Sequence, residues 1–281
     1  MTTMKKILFP TDFSEVSSNA FIYALKLAEN LNAEIITLHV YELPVVNNAD
    51  GFPGYLLEIY DVVEWGQFES YKGQVPVLRD IAKANNLEHI KISHELLMGD
   101  LVNSIREISK KENIDYVVMG TKGASGLKET FLGSTAANVV TDTDTFVLAI
   151  PENSHYQPIK NIAFTSRFRD KDRAALVKLL KLAKGFNAKV HCLYVKTQSS
   201  DLKDVVAADW KLVFKDENVD FHIVENENVK DTILDFTATH NIDVLAMLHY
   251  KRSFLEELFH FSLTKKILHH IQIPILALHE N

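Results

Sequence analysis

Short apolar runs alternate with longer amphipathic stretches along the whole chain. In the first half the runs KILFP, EIITLHV, IKISHELL, DYVVMG and FVLAI predict β-strands, and the intervening patterns predict helices at about residues 15–31, 55–86, 100–112 and 132–142. The second half repeats this order with the runs NIAFT, KVHCLYV, VDFHIV, DVLAML and PILALH. Strands that alternate with helices, several of them apolar throughout, indicate βαβ units and a mostly parallel sheet with helices on both faces.

The two halves of the chain resemble each other in sequence. Residues 6–40 align without a gap on residues 161–195, and residues 114–123 align on 242–251. Between these blocks the first half is longer, and Pro, Gly and Asn signals place its extra residues in the segment 42–73. The repeat predicts two tandem doubly wound α/β domains, at residues 1–152 and 157–281, joined by the polar linker PENSHYQP.

Composition narrows the class of protein. The chain has 281 residues, 47% of them hydrophobic and 24% charged, which is an ordinary globular composition. Its formal charge of −7 argues against a nucleic-acid-binding protein, which would present a basic face. No stretch approaches the roughly 18 apolar residues that a membrane span needs, and the apolar run near the N-terminus is too short for a signal peptide. The single cysteine, Cys192, lies in an apolar strand. A cytoplasmic protein without a membrane partner is therefore expected.

Four of the ten glycines of the chain lie in the segment MGTKGASGLKETFLGST, residues 119–135. This segment follows the fourth predicted strand of the first half and leads into its last helix. Loops at the carboxyl ends of parallel strands are where such sheets bind ligands, and the loop after the first strand, PTDFSE, is its expected partner. Glycines at a helix start allow close approach of an anion to the backbone amides, so the segment predicts a phosphate site. It matches neither the common NTPase loop nor the dinucleotide fingerprint.

The spacing Gly-x2-Gly-x9-Gly-Ser, formed by Gly120, Gly123, Gly133 and Ser134, resembles the ATP-binding signature of the universal stress protein family. The resemblance extends to ILFPTDFSE and covers both halves, so the chain resembles a tandem member. It implies a five-stranded sheet of order 3-2-1-4-5 in each domain. It also implies that a bound ATP or AMP contacts the following residues: Pro10, Thr11, Asp12, Val40, Met119, Gly120, Thr121, Gly123, Gly133, Ser134 and Thr135.

The resemblance gives different roles to these residues. Asp12 would contact the adenine or ribose end of the nucleotide, and the backbone of Val40 would face the adenine. The nucleoside side would be lined by Met119 and Gly120. The phosphates would be held by Gly123, Gly133, Ser134 and Thr135. Whether a divalent metal accompanies ATP stays open.

The second half departs from the signature at the positions that matter. Leu248, Lys251 and Phe261 stand where the first half has Gly120, Gly123 and Gly133, Phe254 stands for Gly126, and Arg167 stands for Asp12. Bulky side chains in place of glycines predict that the second domain binds no nucleotide by this route and has a structural role.

Several residues have more than one interpretation. Asp12 is also a candidate N-cap for the helix that begins near Ser14. Lys122 either neutralises a terminal phosphate or is a solvated loop residue, and Gly126 is a turn residue. His39 on the second strand is read as a core or interface histidine. The histidines of the last 33 residues show no metal-ligand spacing, so no metal site is predicted.

The leading functional hypothesis is a stress-response protein that binds an adenine nucleotide in its first domain. No catalytic constellation can be assembled from the spacing alone, so at most slow ATP hydrolysis is expected. Two alternatives stay open, a non-catalytic protein-interaction module and a slow ATPase. Because members of the family dimerise through the last strand, the resemblance also implies that TFVLAI and IPILALH form a pseudo-dimer within the chain, and leaves open a further homodimer.

Overall fold

The computed structural model describes residues 4–42, 53–121, 134–249 and 272–279. Strands and helices alternate along both halves, as the apolar pattern predicts. The elements of the first half are β1 (Lys5–Pro10), α1 (Glu15–Leu31), β2 (Ala33–Tyr41), α2 (Pro53–Ala84), β3 (Ile92–Met98), α3 (Leu101–Lys111), β4 (Tyr116–Gly120), α4 (Ser134–Asp142) and β5 (Phe146–Ile150). Those of the second half are β6 (Asn161–Thr165), α5 (Asp170–Phe186), β7 (Lys189–Lys196), α6 (Asp204–Val213), β8 (Val219–Glu225), α7 (Val229–Thr239), β9 (Val244–Leu248) and β10 (Ile275–Leu278).

The chain forms two compact units, residues 1–119 and 120–281. In the first unit the strand order is β3-β2-β1-β4, and β1 pairs in parallel with both β2 and β4. In the second unit the order is β5-β10-β9-β6-β7-β8, in which β5 pairs antiparallel with β10. The repeat in the second half therefore has the complete order 3-2-1-4-5, and the first unit has its first four strands in that order. The predicted fold class is confirmed.

The unit boundary differs from the boundary that the sequence repeat predicts. The units divide after Met119, whereas the repeat places the end of the first domain at residue 152. The reason is the pairing of β5 with β10, in which Leu148 lies opposite Leu276. This antiparallel ladder groups the last strand of the first repeat with the second.

The two repeats share their local geometry as well as their topology. Helices α1 and α5 each contain 17 residues and end at an asparagine in the left-handed conformation, Asn32 with φ 50° and Asn187 with φ 53°. Asparagine tolerates this conformation better than most residues, so it ends a helix where glycine otherwise would. The interiors of β1 and β6 are fully buried, with Phe9 and Phe164 at 0% exposure. Burial of such a side chain stabilises the fold by roughly 1.5–3 kcal/mol.

The longer segment of the first half is largely one helix. Helix α2 contains 32 residues, whereas α6, its counterpart in the second half, contains 10. Tyr71 and Leu78 of α2 are buried, and the Tyr71 hydroxyl donates to the backbone oxygen of Glu95 on β3 at 3.2 Å. The insertion therefore covers one face of the strands β2 and β3. None of the helices in the described ranges combines the length and hydropathy that a membrane span requires.

Candidate functional site

The predicted site residues begin at the carboxyl end of the central strand of the first unit. Strand β1 lies between β2 and β4, so the order in which the chain adds strands to the sheet changes direction at β1. Pro10 is the last residue of β1, and Thr11 and Asp12 follow it. This is the topological switch point of a doubly wound sheet, where ligands bind. The structure thus places the loop PTDFSE where the sequence predicts it.

Thr11 makes hydrogen bonds that stabilise the interior of this loop. Its side chain is buried, and its backbone N–H donates to the oxygen of Leu38 at 2.9 Å. Its hydroxyl lies 2.7 Å from the hydroxyl of Ser17 and accepts the N–H of Phe13 at 3.0 Å. The Thr11 side chain is therefore used within the loop.

Asp12 lies exposed at the rim of the loop. Its Oδ1 accepts the N–H of Ser14 at 3.0 Å, which forms a local turn. The N-cap of α1 is Ser14, whose hydroxyl accepts the N–H of Ser17 at 3.2 Å. The interpretation of Asp12 as the helix cap is therefore wrong, because Ser14 holds that position. The exposed carboxylate lies at the edge where a ligand would bind.

An aromatic group lies behind the loop. Phe13 has φ 58°, a conformation that costs about 1–2 kcal/mol for a residue with a side chain. Its ring contacts those of His39 and Tyr71 at centroid distances of 5.3 and 5.8 Å, and these two rings stack at 5.9 Å. The ring contacts offset the backbone cost. They also fix the direction in which the loop leaves β1.

Two histidines on this face have defined hydrogen bonds. His39 Nδ1 lies 2.7 Å from the carbonyl oxygen of Thr11, so this nitrogen carries the proton and donates. Behind it, Thr37 Oγ1 lies 2.7 Å from His94 Nδ1, and His94 Nε2 is buried without a hydrogen-bond partner among the described residues. Burial, with the Arg79 guanidinium as a second cause, lowers the pKa of His94 below its ordinary value. His94 is therefore neutral near pH 7.

The second group of predicted residues follows β4. Met119 is buried in β4, which ends at Gly120, and Val40 on β2 is half-buried. The N–H of Thr121 donates to the oxygen of Ile150 at 2.9 Å, which extends the strand by one bond. Thr121 is only 3% exposed, and its hydroxyl is buried. This hydroxyl has no hydrogen-bond partner in the described part of the chain. A buried hydroxyl without a partner costs roughly 1–3 kcal/mol, so this oxygen is unusual.

Part of the glycine signature lies outside the described residues. This applies to Gly123 and Gly133, and also to Lys122 and Gly126. Helix α4 runs over Ser134–Asp142, where the described residues resume, and Thr135 is half-buried. The predicted helix after the last glycine is thus confirmed, and the residue at which it starts stays a prediction.

The corresponding position of the second half contains a cavity of about 480 Å³. It is lined by Ser166 and Arg167 after β6, by Val195 on β7, and by Leu248 at the end of β9. These residues align with Thr11, Asp12, Val40 and Gly120 of the first half. The bulky residues that are predicted to exclude a nucleotide here lie outside the described residues. They are Lys251, Phe254 and Phe261. The prediction that this half binds no nucleotide stays a prediction.

A buried carboxylate closes the loop of the second half. Asp172 is fully buried, and its Oδ2 accepts the N–H groups of Arg167 and Arg169 at 2.7 and 3.1 Å. The Ser166 hydroxyl lies 3.2 Å from the same oxygen. In the first half the position of Asp172 is occupied by Ser17, whose hydroxyl lies 2.7 Å from the hydroxyl of Thr11. The two loops therefore have the same shape but different internal bonding.

Comparison with known proteins agrees with this geometry. The family model described as the universal stress protein family matches residues 3–151 and 207–279. The chain belongs to the universal stress protein family. Two universal stress proteins of Methanocaldococcus jannaschii are 33% identical over 148 residues and 30% identical over 156 residues. Each match covers 52% of this chain, and they cover 81% and 94% of the respective relatives.

A solved structure matches nearly the whole chain. The universal stress protein from Archaeoglobus fulgidus is similar with a TM-score of 0.66 at 20% identity, and the match covers 98% of this chain and 96% of that one. At this identity the likeness shows the fold alone. It supports a tandem arrangement of two stress-protein repeats in one chain.

Sequence reasoning missed the residues behind the loop. Thr37, Tyr71 and His94 are not in the predicted set, and His39 is predicted only as a core or interface residue. Tyr71 belongs to the inserted helix, so comparison of the two halves provides no counterpart for it. Thr37 and His94 meet only through the register of β2 and β3. The signal available for Thr37 was the alternation of polar and apolar residues at Thr37, Leu38 and His39 of β2.

Proposed function

We propose that this stress protein binds one adenine nucleotide, ATP or AMP, through its first repeat. The observation that carries the proposal is the exposed carboxylate of Asp12 at the carboxyl end of β1, between β2 and β4. A carboxylate at this switch point suits the hydroxyl groups of a ribose, which donate hydrogen bonds to it. The remaining proposed contacts are those of the signature, at Met119, Gly120, Thr121, Gly123, Gly133, Ser134 and Thr135, with Val40 facing the adenine.

Two further features support a phosphate-containing ligand. The first is the Thr121 hydroxyl, which is buried without a partner in the described residues and would gain one from a ligand or its water. The second is helix α4, which covers Ser134–Asp142 in the described residues and follows the last signature glycine in the chain. Amide groups at a helix start and the helix dipole favour an anion. A divalent metal accompanying ATP would be held chiefly by the phosphate oxygens.

The second repeat is proposed as a structural partner in a domain arrangement of residues 1–152 and 157–281. The pairing of β5 with β10 supports an intrachain pseudo-dimer, since it joins the last strands of the two repeats. The free Cys192 is fully buried, and burial raises the pKa of its thiol, so it is a core residue rather than a reactive one. A free cysteine suits the reducing cytoplasm in which we place the protein.

The test is to identify the resident ligand and then to titrate it. Purified full chain is denatured, and the released small molecules are separated by chromatography. The folded chain is then heated with ATP or AMP, with and without magnesium. At a concentration 100 times the dissociation constant the nucleotide should stabilise the chain by about 2.7 kcal/mol.

Matched variants assign the binding to one repeat. Asp12→Ala should lower the nucleotide-induced thermal shift, and Arg167→Ala, at the same position of the second repeat, should preserve it. Absence of released adenine nucleotide together with absence of any thermal shift would overturn the proposal. Metal-dependent phosphate release that Asp12→Ala abolishes would instead indicate an ATPase. Full cellular function of Gly123→Val would indicate an interaction module.

A further inference from the structure

Three ligand-bearing side chains meet on β7 and β8 of the second unit. They are His191, Asp220 and His222, and one ligand atom of each lies within 4.8 Å of the others. Strand register brings them together, because His191 pairs with Asp220 and Leu193 pairs with His222. The cluster lies nearer the amino end of β7 than Val195, which lines the cavity described above. It is therefore separate from the position that corresponds to the nucleotide site.

Hydrogen bonds outside the cluster orient His191. The backbone oxygen of Asn241 accepts from Asn161 Nδ2 at 3.3 Å, which turns the amide oxygen Oδ1 of Asn161 toward His191. His191 Nε2 lies 3.3 Å from that oxygen and donates to it. Nδ1 of His191 consequently keeps its lone pair and faces His222. A histidine whose second nitrogen donates to an amide or carboxylate oxygen is the usual arrangement of a metal ligand.

The spacing of the two imidazoles suits a tetrahedral metal. His191 Nδ1 lies 3.2 Å from His222 Nε2. Two nitrogens bound to one tetrahedral zinc ion at about 2.0–2.1 Å are separated by about 3.3 Å. The same distance allows a hydrogen bond from His222 to His191 in the metal-free chain, and zinc would replace that proton. Only a small movement of the two rings is needed.

The carboxylate of Asp220 provides an oxygen ligand at the exposed side of the cluster. Two histidines and one carboxylate form a recognised zinc set that leaves the fourth position to water. One charge opposes the ion, since Lys189 Nζ lies 2.6 Å from Asp220 Oδ2. Both partners of this pair are about half exposed, and such a pair contributes roughly 1 kcal/mol or less. It does not prevent the other carboxylate oxygen from binding a cation.

A third histidine lies beside the two imidazoles. His240, at the end of α7, lies with its ring 5.2 Å from that of His222. Its Nδ1 donates to the oxygen of Phe236 at 3.2 Å, so its Nε2 keeps a lone pair near the cluster.

We propose that His191, Asp220 and His222 bind a zinc ion. The first repeat has Ile36, Ser93 and Glu95 at the corresponding strand positions, which include no imidazole. The site would thus belong to the second repeat alone. Imidazole and carboxylate ligands together favour zinc over the harder magnesium and calcium ions.

The test uses the full chain without an affinity tag, stripped of metal by a chelator and titrated with zinc ions against a chromophoric competitor. Wild type should take up a zinc equivalent that His222→Gln loses. Asp220→Asn should bind that equivalent at least about 10-fold more weakly, because loss of a direct ligand should cost no less than the loss of an outer-shell partner, which typically costs about 10–100-fold. His89→Gln, which changes an exposed histidine of the first unit, should bind like wild type.

The variants also separate a binding effect from misfolding. Circular dichroism in the presence of the chelator reports whether each variant folds, and the exposed Asp220 can change to Asn without loss of core packing. If His222→Gln does not fold, Asp220→Asn decides alone. Anomalous scattering at the zinc edge should show a peak between the two rings. Equal zinc affinity and stoichiometry in wild type and both site variants, or no zinc uptake by the wild type, would overturn the proposal.

Discussion

The loops after β1 and β6 have the same backbone shape and different chemistry. Each places a phenylalanine in the left-handed conformation, Phe13 with φ 58° and Phe168 with φ 57°. In the first loop a pair of hydroxyls lies inside and a carboxylate, that of Asp12, lies at the rim. In the second loop the carboxylate of Asp172 lies inside and Arg167 takes the rim position. The same loop conformation thus has its carboxylate at the exposed edge in the first repeat and in the interior in the second.

The strand faces behind the loops differ in the same direction. Phe168 contacts Tyr194, Trp210 and Phe221 at 4.8–6.1 Å, and the first repeat has His39 where the second has Tyr194. Thr37 and His94 of the first repeat occupy the register positions of Cys192 and Phe221. The first repeat therefore keeps polar groups behind its loop, whereas the second fills the space with aromatic rings. The comparison indicates that the second repeat has more aromatic packing behind its loop than the first.

The largest effect is expected from removal of the interior charge. Asp172→Ala leaves the partly buried N–H groups of Arg167 and Arg169 without their acceptor, and hydrogen bonds to a charged group contribute roughly 1.5–3 kcal/mol each. We expect the free energy of unfolding to fall by about 4 kcal/mol. Ser17→Ala, at the same position of the first repeat, should cost about 1 kcal/mol. Urea denaturation measures both, and equal losses would contradict the difference between the loops.

The next effect concerns the glycine that ends β4. Gly120→Leu introduces the residue that the second repeat has at position 248, where the same strand end accommodates it. The fold should persist, while the side chain blocks close approach of the nucleotide to the backbone. We expect nucleotide affinity to fall about 100-fold, which corresponds to about 2.7 kcal/mol. Calorimetric titration tests this, and Leu248→Gly is the control, which should bind like wild type.

A pH effect should arise from the second repeat. His249 and His279 lie with their rings 5.4 Å apart, and burial, with His249 as a second cause, lowers the pKa of His279 to about 4. Below pH 6.5 the unfolded chain binds a proton at His279 that the folded chain does not bind until the pH nears 4. The stability that the neutral His279 contributes is therefore present above pH 6.5 and is lost as the pH falls toward 4. The loss should be about 2 kcal/mol between pH 6.5 and 5.

His279→Leu checks the origin of this pH dependence. The first repeat has Pro151 at the corresponding position, which does not titrate. The variant should therefore lose stability less steeply than wild type in urea denaturation between pH 7.5 and 5. An unchanged slope would assign the pH dependence to other groups.

The smallest effect is expected from His39. His39→Tyr introduces the residue of the second repeat and removes the hydrogen bond from Nδ1 to the Thr11 oxygen, a contact that contributes about 1 kcal/mol. The loop that carries Asp12 should lose part of its positioning, and nucleotide affinity should fall several-fold. Tyr194→His, the reverse change, should leave the affinity unaltered. A full-affinity His39→Tyr would show that the loop is positioned without this bond.

The sequence alone predicts the architecture well, and the site less well. Apolar runs and helical periods locate the strands and helices, because burial of apolar faces decides both the element type and the layering. The repeat exposes the differences at Gly120 and Asp12. It does not show that Ser14, not Asp12, caps α1, because both residue types serve equally well as caps.

Side-chain clusters that depend on strand register are the part that sequence could not provide. His191 and His222 are separated by a whole helix in the chain, and only the pairing of β7 with β8 brings them to 3.2 Å. Their spacing matches no metal motif, so the sequence predicts no metal site. The left-handed Phe13 was equally hidden, because such a conformation usually requires glycine or asparagine.

The central claim is that one repeat binds a nucleotide and the other does not. Native mass spectrometry counts the bound nucleotides directly when the full chain is incubated with ATP at a concentration that saturates the wild type but lies well below the dissociation constant of a site weakened about 100-fold. The account predicts one nucleotide per wild-type chain, one in Leu248→Gly and none in Gly120→Leu. Two nucleotides per wild-type chain, or one retained by Gly120→Leu, would contradict it.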